Sequence, residues 1–251
     1  MCKNMLCLHY VYKTFQHTQR PLLMPHHSLI CPDLPGHAFT EQAPGAGMSL
    51  PGMAAGVAAL VQALGLPLQG LVGHSAGAAV AAQMLLQERL PLTQARPVLV
   101  GLNPAWLPLP GWAGVLFSPS AKLMALNPLS GWLMAQQGAR AGVLQRLLDS
   151  TGSRLDAEGM ALYGQLVSNP GHAAGALGMM AHWDLPALAE DLPALTQPLL
   201  LVVGLRDATV PPQLVGLAFS IFGMVMGSFV PHERATVPVH GAHGGHPRHN
   251  P

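Results

Sequence analysis

Gly73-His74-Ser75-Ala76-Gly77 is the stretch that decides the fold, because it fits the pattern G-x-S-x-G and lies between a segment that favours a strand and one that favours a helix. Residues 68–72 form a short apolar run typical of a buried strand, and residues 78–86 are rich in good helix formers. Small residues around the serine let strand and helix approach closely across a strained turn. The stretch therefore predicts a sharp strand-to-helix elbow with Ser75 as candidate nucleophile. The alternative is an ordinary Gly/Ala-rich turn.

Apolar runs alternate with Ala- and Leu-rich helical runs along the chain, which is typical of a doubly wound, mostly parallel sheet with helices on both faces. Ser49 can cap a helix that has Pro51 in its first turn and continues to about residue 64. The fold class is therefore α/β, with strands predicted at residues 5–8, 28–31, 68–72, 97–102 and 198–204.

The interval between the last two predicted strands is too long for a simple crossover. We therefore predict an inserted helical cap at residues 104–188, on a core made of residues 1–103 and 189–251. The first part of the cap is apolar and broken by prolines, as expected of a flap over a hydrophobic ligand pocket that Trp106 and Trp112 would line. A loop that only packs on the core is the alternative for this part.

A serine hydroxyl becomes an effective nucleophile when a histidine accepts its proton and an acid orients that histidine. In folds with this elbow, the acid and then the histidine follow the serine in the chain. Asp207, just past the predicted strand at residues 198–204, is the candidate acid, although Asp also serves in turns and helix caps. Asn103 ends the preceding strand but cannot supply the charge. Among the C-terminal histidines we select His243 as the base, with His240 as the alternative.

Two backbone N–H groups would have to stabilise the oxyanion in an acyl transfer to serine. One belongs to Ala76, which follows the candidate nucleophile, and the other to the loop after the first predicted strand, where Tyr10 lies. We expect His9 in that loop and His74 in the elbow to border the same substrate pocket.

Only 9% of the residues are charged, where about 25% is usual, so much of the surface must be apolar or must face lipid, a partner or an apolar ligand. A net charge of +1 without a basic stripe excludes a nucleic-acid footprint. The uncharged run at residues 214–230 approaches the length of a membrane span, but Ser and Gly in its interior favour a buried or surface-lying helix. Peripheral membrane contact stays open.

The three cysteines, Cys2, Cys7 and Cys31, are odd in number and crowded near the N-terminus, unlike a disulfide framework. The first residues lack the apolar stretch of a signal peptide. Both features indicate a cytoplasmic protein. Histidines spaced by three in the C-terminal tail could bind a transition metal, but we expect a ligand-free tail, no metal centre and no cofactor.

Several motifs together resemble the α/β-hydrolase superfamily: the elbow, Asp207, the pair Leu8-His9 and the turn at residues 32–37. The chain starts just before its first predicted strand, so the two leading strands common in that superfamily are expected to be missing. More narrowly, five segments are similar to the magnesium-chelatase accessory proteins of bacteriochlorophyll biosynthesis, at residues 49–53, 73–78, 107–111, 151–156 and 180–185.

The resemblance implies a role near the insertion of Mg²⁺ into protoporphyrin IX, an apolar small-molecule ligand such as a tetrapyrrole or an ester, and magnesium-chelatase subunits as partners. If the protein is a serine hydrolase, Ser75 would attack an ester or another acyl group. Two alternatives stand beside this interpretation. One is a general serine esterase or lipase-like hydrolase, and the other is a non-catalytic module that binds a tetrapyrrole or docks on the chelatase.

Overall fold

Five parallel strands form the sheet in the part of the chain that the computed structural model describes, which comprises residues 4–8, 23–88, 90–92, 96–108, 119, 122–150, 155–207 and 210–213. The strands are β1 (Asn4–Leu8), β2 (Ser28–Ile30), β3 (Leu68–His74), β4 (Val98–Leu102) and β5 (Leu199–Val202). Within this part the spatial order of the strands is β2-β1-β3-β4-β5, and each neighbouring pair is parallel. The predicted α/β class is confirmed.

The carboxyl ends of the strands meet at one edge of the sheet, where the elbow lies. Leu8 at the end of β1 pairs with Gly73 in β3, and His74 at the end of β3 pairs with Leu102 in β4. Leu102 in turn pairs with Val202, the last residue of β5. Residues that follow these strands are thereby brought together, which is where open parallel sheets bind their ligands.

The predicted strand at residues 198–204 is shorter and less buried than its apolar sequence suggests. β5 ends at Val202, and the side chains of Leu200 and Val202 are 42% and 37% exposed. Among the described strands β5 pairs with β4 alone, so it forms an edge of the described sheet. A short apolar run fits an edge strand as well as a central one, because periodicity alone does not separate the two.

Two helices build the layer beside the sheet, the second in contact with the strands and the first packed against the second, and both follow from local sequence signals. Helix α1 (Leu50–Ala63) begins after Ser49, whose Oγ accepts a hydrogen bond from Gly52 N at 3.2 Å, and it has a proline in its first turn. Helix α2 (Ala76–Leu86) is Ala-rich and buried along most of its length. Its small side chains let it lie directly on β1 and β3.

The main hydrophobic core lies between the sheet and these helices. Its fully buried side chains come from strands and helices alike, among them Leu6, Met53, Leu71, Met84 and Leu188. Burying one such side chain stabilises the fold by about 1.5–3 kcal/mol relative to leaving it in water. The elbow is therefore built on a well-packed support.

Further helices lie between β4 and β5. They are α3 (Ser130–Gly138), α4 (Ala141–Ser150), α5 (Ala157–Val167), α6 (Pro170–His182) and α7 (Leu185–Asp191). Helix α6 contacts α3, α5 and the 3₁₀ turn Gly45–Met48. A Cβ on Gly175 in α6 would overlap the carbonyl oxygen of Gly36, so α6 is in direct backbone contact with the turn at residues 32–37. Within the described residues, none of the helices has the length and apolarity needed to cross a membrane.

Candidate active site

Ser75 occupies a strained turn between β3 and α2. Its φ of 51° and ψ of −118° are backbone angles that cost a non-glycine residue about 1–3 kcal/mol. Neighbouring backbone holds this conformation, because Ser75 N donates to Leu102 O at 2.9 Å and Ala105 N donates to Ser75 O at 3.2 Å. The turn is thus fixed by β4 and the loop after it. The predicted strand-to-helix elbow is confirmed.

The two glycines of the elbow are required by close backbone contacts. A Cβ on Gly73 would overlap Cα of Ala78 in α2, and a Cβ on Gly77 would overlap the carbonyl oxygen of Leu8 in β1. Helix α2 therefore lies closer to β1 and β3 than a side chain at either position would permit. This contact is the geometric reason for glycine at both ends of the G-x-S-x-G stretch.

Ala76 is the first residue of α2, so its N–H belongs to the helix N-terminus, where backbone N–H groups have no intrahelical acceptor. The helix dipole adds partial positive charge at this end. An N–H in this place can donate to an oxygen that becomes negative when Ser75 attacks a carbonyl. Tyr10, the predicted second donor, and His9 lie outside the described residues.

Asp207 is buried, with 7% of its surface exposed, and both of its carboxylate oxygens accept hydrogen bonds. Oδ2 accepts from Asn103 Nδ2 at 2.8 Å, and Oδ1 accepts from Val210 N at 2.9 Å. The second of these bonds is the turn role that Asp often has, and the first links the carboxylate to the neighbouring strand. Asp207 lies further beyond the strand than predicted, since β5 ends at Val202.

Asn103 connects the end of β4 to the loop that carries Asp207. Its Oδ1 accepts from Gly204 N at 2.6 Å, and its backbone N donates to Val202 O at 2.8 Å. Its φ of 42° is in the left-handed region, which Asn tolerates better than most residues. Sequence analysis considered Asn103 only as a substitute for the acid and missed this positioning role. The available signal was its place at the end of the strand next to β5.

His74, the residue before Ser75, lies in the electrostatic field of Asp207. Burial lowers the pKa of His74, and the charge of Asp207 opposes that shift. Because the effect of burial is the larger one, the imidazole is neutral at pH 7. The structure therefore brings Ser75, His74 and Asp207 to the same edge of the sheet.

Trp106 is buried in the main hydrophobic core, with 2% of its surface exposed. Its indole Nε1–H is buried and has no hydrogen-bond partner among the described residues, and an unsatisfied buried donor costs about 1–3 kcal/mol. Trp112, His243 and His240 lie outside the described residues, so their roles stay predictions. In the described ranges, no group of three or more His, Cys, Asp or Glu residues could hold a metal ion.

A buried histidine pair that sequence analysis missed joins the turn at residues 32–37 to α6. The rings of His37 and His172 meet edge to face, with centroids 5.3 Å apart. His37 Nδ1–H donates to Pro35 O at 2.9 Å, and His172 Nδ1 accepts from Ala38 N at 3.3 Å. Burial and the neighbouring His37 lower the pKa of His172 to about 4, and burial also lowers the pKa of His37. Both rings are therefore neutral at pH 7.

The sequence profile of the family described as alpha/beta hydrolase fold matches residues 5–247. This match shows that the chain belongs to the α/β-hydrolase fold family. Similar solved structures include an esterase from Exiguobacterium antarcticum, with a TM-score of 0.68 at 17% identity over 91% of this chain and 83% of that one. An α/β-hydrolase fold protein from Burkholderia ambifaria has a TM-score of 0.67 at 15% identity, over 88% and 79% of the two chains. Likeness at such identities concerns the fold alone.

One relative of known name is similar to this chain over most of its length. The magnesium-chelatase 30 kDa subunit of Rhodobacter capsulatus is 37% identical to this chain over 191 residues. The match covers 76% of this chain and 65% of the relative. This chain thus spans a little under two thirds of the relative's length.

Proposed function

We propose that this protein is an α/β-hydrolase-fold accessory protein of the magnesium-chelatase step in bacteriochlorophyll biosynthesis. The observation that carries the proposal is its 37% identity with the magnesium-chelatase 30 kDa subunit over 191 residues. The Ser75 elbow and the fixed carboxylate of Asp207 support a catalytic step within that role. Hydrolysis of an ester or another acyl group is the chemistry that this pair fits best.

In the proposed mechanism Ser75 Oγ attacks the acyl carbon while His243 accepts the hydroxyl proton and Asp207 orients the imidazole. The charge that develops on the carbonyl oxygen is stabilised by the Ala76 N–H and by a second N–H from Tyr10. The proton then passes from His243 to the leaving oxygen, which departs as an alcohol and leaves an acyl ester on Ser75. Water, deprotonated by the same histidine, hydrolyses this ester and regenerates the serine.

The proposed ligand is an apolar small molecule, a tetrapyrrole or its ester, bound between the core and the helical cap at residues 104–188. One contact near the elbow supports this location. Ala105 N, in the loop that leads into residues 104–188, donates a hydrogen bond to Ser75 O, so the proposed cap begins beside the candidate nucleophile.

We also propose magnesium-chelatase subunits as partners and the cytoplasm as the place of action. The proposed partner is supported by the relative, whose name makes it a subunit of magnesium chelatase. The compartment is supported by the three cysteines of the sequence, which are odd in number and crowded near the N-terminus, unlike a disulfide framework of a secreted protein.

A fluorophosphonate probe tests the nucleophile, because it reacts only with an activated serine. Wild-type protein should be labelled and Ser75→Ala should not, while Ser168→Ala, a surface serine at the end of α5, should react like wild type. Of His243→Ala and His240→Ala, the variant that lacks the base should lose roughly 10⁴-fold in rate. Unlabelled wild-type protein would favour a non-catalytic binding module.

An absorbance titration with protoporphyrin IX tests the ligand class separately. Saturable binding, retained in Ser75→Ala, is the expected result, because binding does not require the nucleophile. A flat titration together with rapid hydrolysis of short esters would instead identify a general esterase.

A further inference from the structure

A group of large apolar side chains within residues 122–133, which comprise a short helical turn and the start of α3, faces solvent. They are between 51% and 82% exposed. Single exposed leucines are ordinary on protein surfaces, but a cluster of this kind marks an interaction site. We call this cluster the Leu/Trp face, and it consists of Leu123, Leu126, Leu129, Trp132 and Leu133.

Helical geometry places three of the five side chains on one side of α3. Leu129, Trp132 and Leu133 have the spacing i, i+3, i+4, which puts them on the same face of α3. Leu133 N donates to Leu129 O at 2.9 Å, so the helical turn already includes Leu129. Leu126 N donates to Lys122 O at 3.1 Å in a separate helical turn, which the turn at residues 126–129 connects to α3.

The opposite face of α3 is fixed by close contacts with its neighbours. A Cβ on Gly131 would come within 2.8 Å of the Ala174 side chain in α6, and one on Gly138 would come within 2.8 Å of Val167 O. These contacts leave α3 no room to rotate about its axis. The Leu/Trp face is therefore held outward by the packing of the helix.

Basic residues border the face at both ends. Lys122 lies one helical turn before Leu126, and Arg140 continues the row of Leu129 and Leu133 where the backbone completes its last turn, with Arg140 N donating to Gln137 O at 3.1 Å. Both cations are exposed. The sequence has no Asp or Glu between residues 89 and 148. An apolar face bordered by cations and free of acids complements an anionic lipid surface.

We propose that the Leu/Trp face docks the protein on the surface of an anionic bilayer. The leucine and tryptophan side chains lie at the boundary between headgroups and acyl chains, and Lys122 and Arg140 contact lipid phosphates. The helix lies in the plane of the membrane and does not span it. Docking is independent of any reaction at Ser75.

Vesicle co-sedimentation of the full chain tests the proposal, with phosphatidylcholine alone and with phosphatidylcholine mixed with phosphatidylglycerol. The protein should bind the mixed vesicles about tenfold or more tightly than the neutral ones, and high salt should weaken this binding. The double variant Leu126→Ser/Leu129→Ser should lose about tenfold or more in affinity, because each leucine removed from water contributes to binding. The matched control Leu60→Ser/Leu64→Ser changes two other exposed leucines and should bind like wild type.

Several results would overturn the proposal. Wild type that does not sediment with anionic vesicles is one, and equal binding by Leu126→Ser/Leu129→Ser and wild type is another. A dimer in light scattering that the double variant dissociates, without vesicle binding, would assign the face to a second copy of the chain. Ser75→Ala should sediment like wild type, so a failure of the proposed catalysis is distinguishable from a failure of membrane docking.

Discussion

Asn103 and Asp207, which lie 104 positions apart in the sequence, are joined by a hydrogen bond of 2.8 Å from Nδ2 to Oδ2. The same amide accepts a hydrogen bond from Gly204 N through its Oδ1. One side chain thus ties the end of β4 to the loop that carries the candidate acid. A carboxylate that orients an imidazole needs such fixed support, because small displacements of catalytic groups are costly.

Replacing Asn103 by Gly should destabilise the protein by about 1–3 kcal/mol, because a buried acceptor on Asp207 loses its donor. Glycine adopts the left-handed backbone at this position without strain, so the decrease in the free energy of unfolding comes from the lost hydrogen bonds. Urea unfolding measures the change, and the rate of fluorophosphonate labelling should fall in parallel. Ala38→Gly is the control, since Ala38 has a similar φ of 48° and should retain wild-type stability or gain a little. Equal effects of the two changes would contradict the positioning role.

The Ser75→Gly variant should be more stable than the Ser75→Ala variant by about 1–2 kcal/mol, because only glycine adopts the backbone angles of the elbow without strain. The serine side chain makes no capping hydrogen bond to α2, so its removal costs the helix nothing. Chemical denaturation of both variants measures the difference. If Ser75→Gly proved no more stable than Ser75→Ala, the turn would store no strain.

Gly175→Ala should destabilise the protein by about 1–3 kcal/mol or more, because the added methyl group must push α6 away from the turn at Gly36. Gly178 in the same helix is a matched control. A Cβ there would meet Met48 Cε at 3.5 Å, which is an ordinary contact. Gly178→Ala should therefore be neutral, or stabilising by up to about 1 kcal/mol. Thermal unfolding of the two variants separates a tight helix contact from a general intolerance of α6 to alanine.

The elbow, the α/β alternation and the place of Asp207 after a strand could be predicted from the sequence, because each depends on a local pattern. The glycines around Ser75 indicate that the backbones of a strand and a helix lie close together, and short apolar runs indicate buried strands. The Ser49 cap with Pro51 predicted the start of α1 for the same reason. Local preference and tertiary structure agree at these points.

Contacts between distant parts of the chain could not be predicted in this way. The bond between Asn103 and Asp207 and the edge-to-face meeting of His37 and His172 each depend on the packing of whole elements. A single sequence carries no periodicity that pairs such positions. The exposure of Leu200 in β5 was missed for a related reason, because an apolar run does not show which of its faces will be covered.

The buried pair His37 and His172 should make stability depend on pH. Burial and the neighbouring ring lower the pKa of His172 from 6.5 to about 4, so the unfolded chain binds more protons than the folded protein in this interval. Stability should fall as the pH decreases from 6.5 to about 4, by about 3 kcal/mol from this group. Below that range the contribution of His172 becomes constant. The lowered pKa of His37 acts in the same direction.

His172→Asn tests this linkage, because asparagine can still accept the hydrogen bond from Ala38 N but does not titrate. Urea unfolding of wild type and variant at a series of pH values between 7 and 4 gives the slope of stability against pH. The variant should show a clearly shallower slope, whatever its stability at pH 7, because the slope depends only on the difference in bound protons between the unfolded and folded states. Protonation of His172 removes the acceptor for Ala38 N, so the contact between α6 and the turn should loosen first in wild type. Parallel pH profiles for the two proteins would mean that His172 exchanges protons equally in the folded and unfolded states.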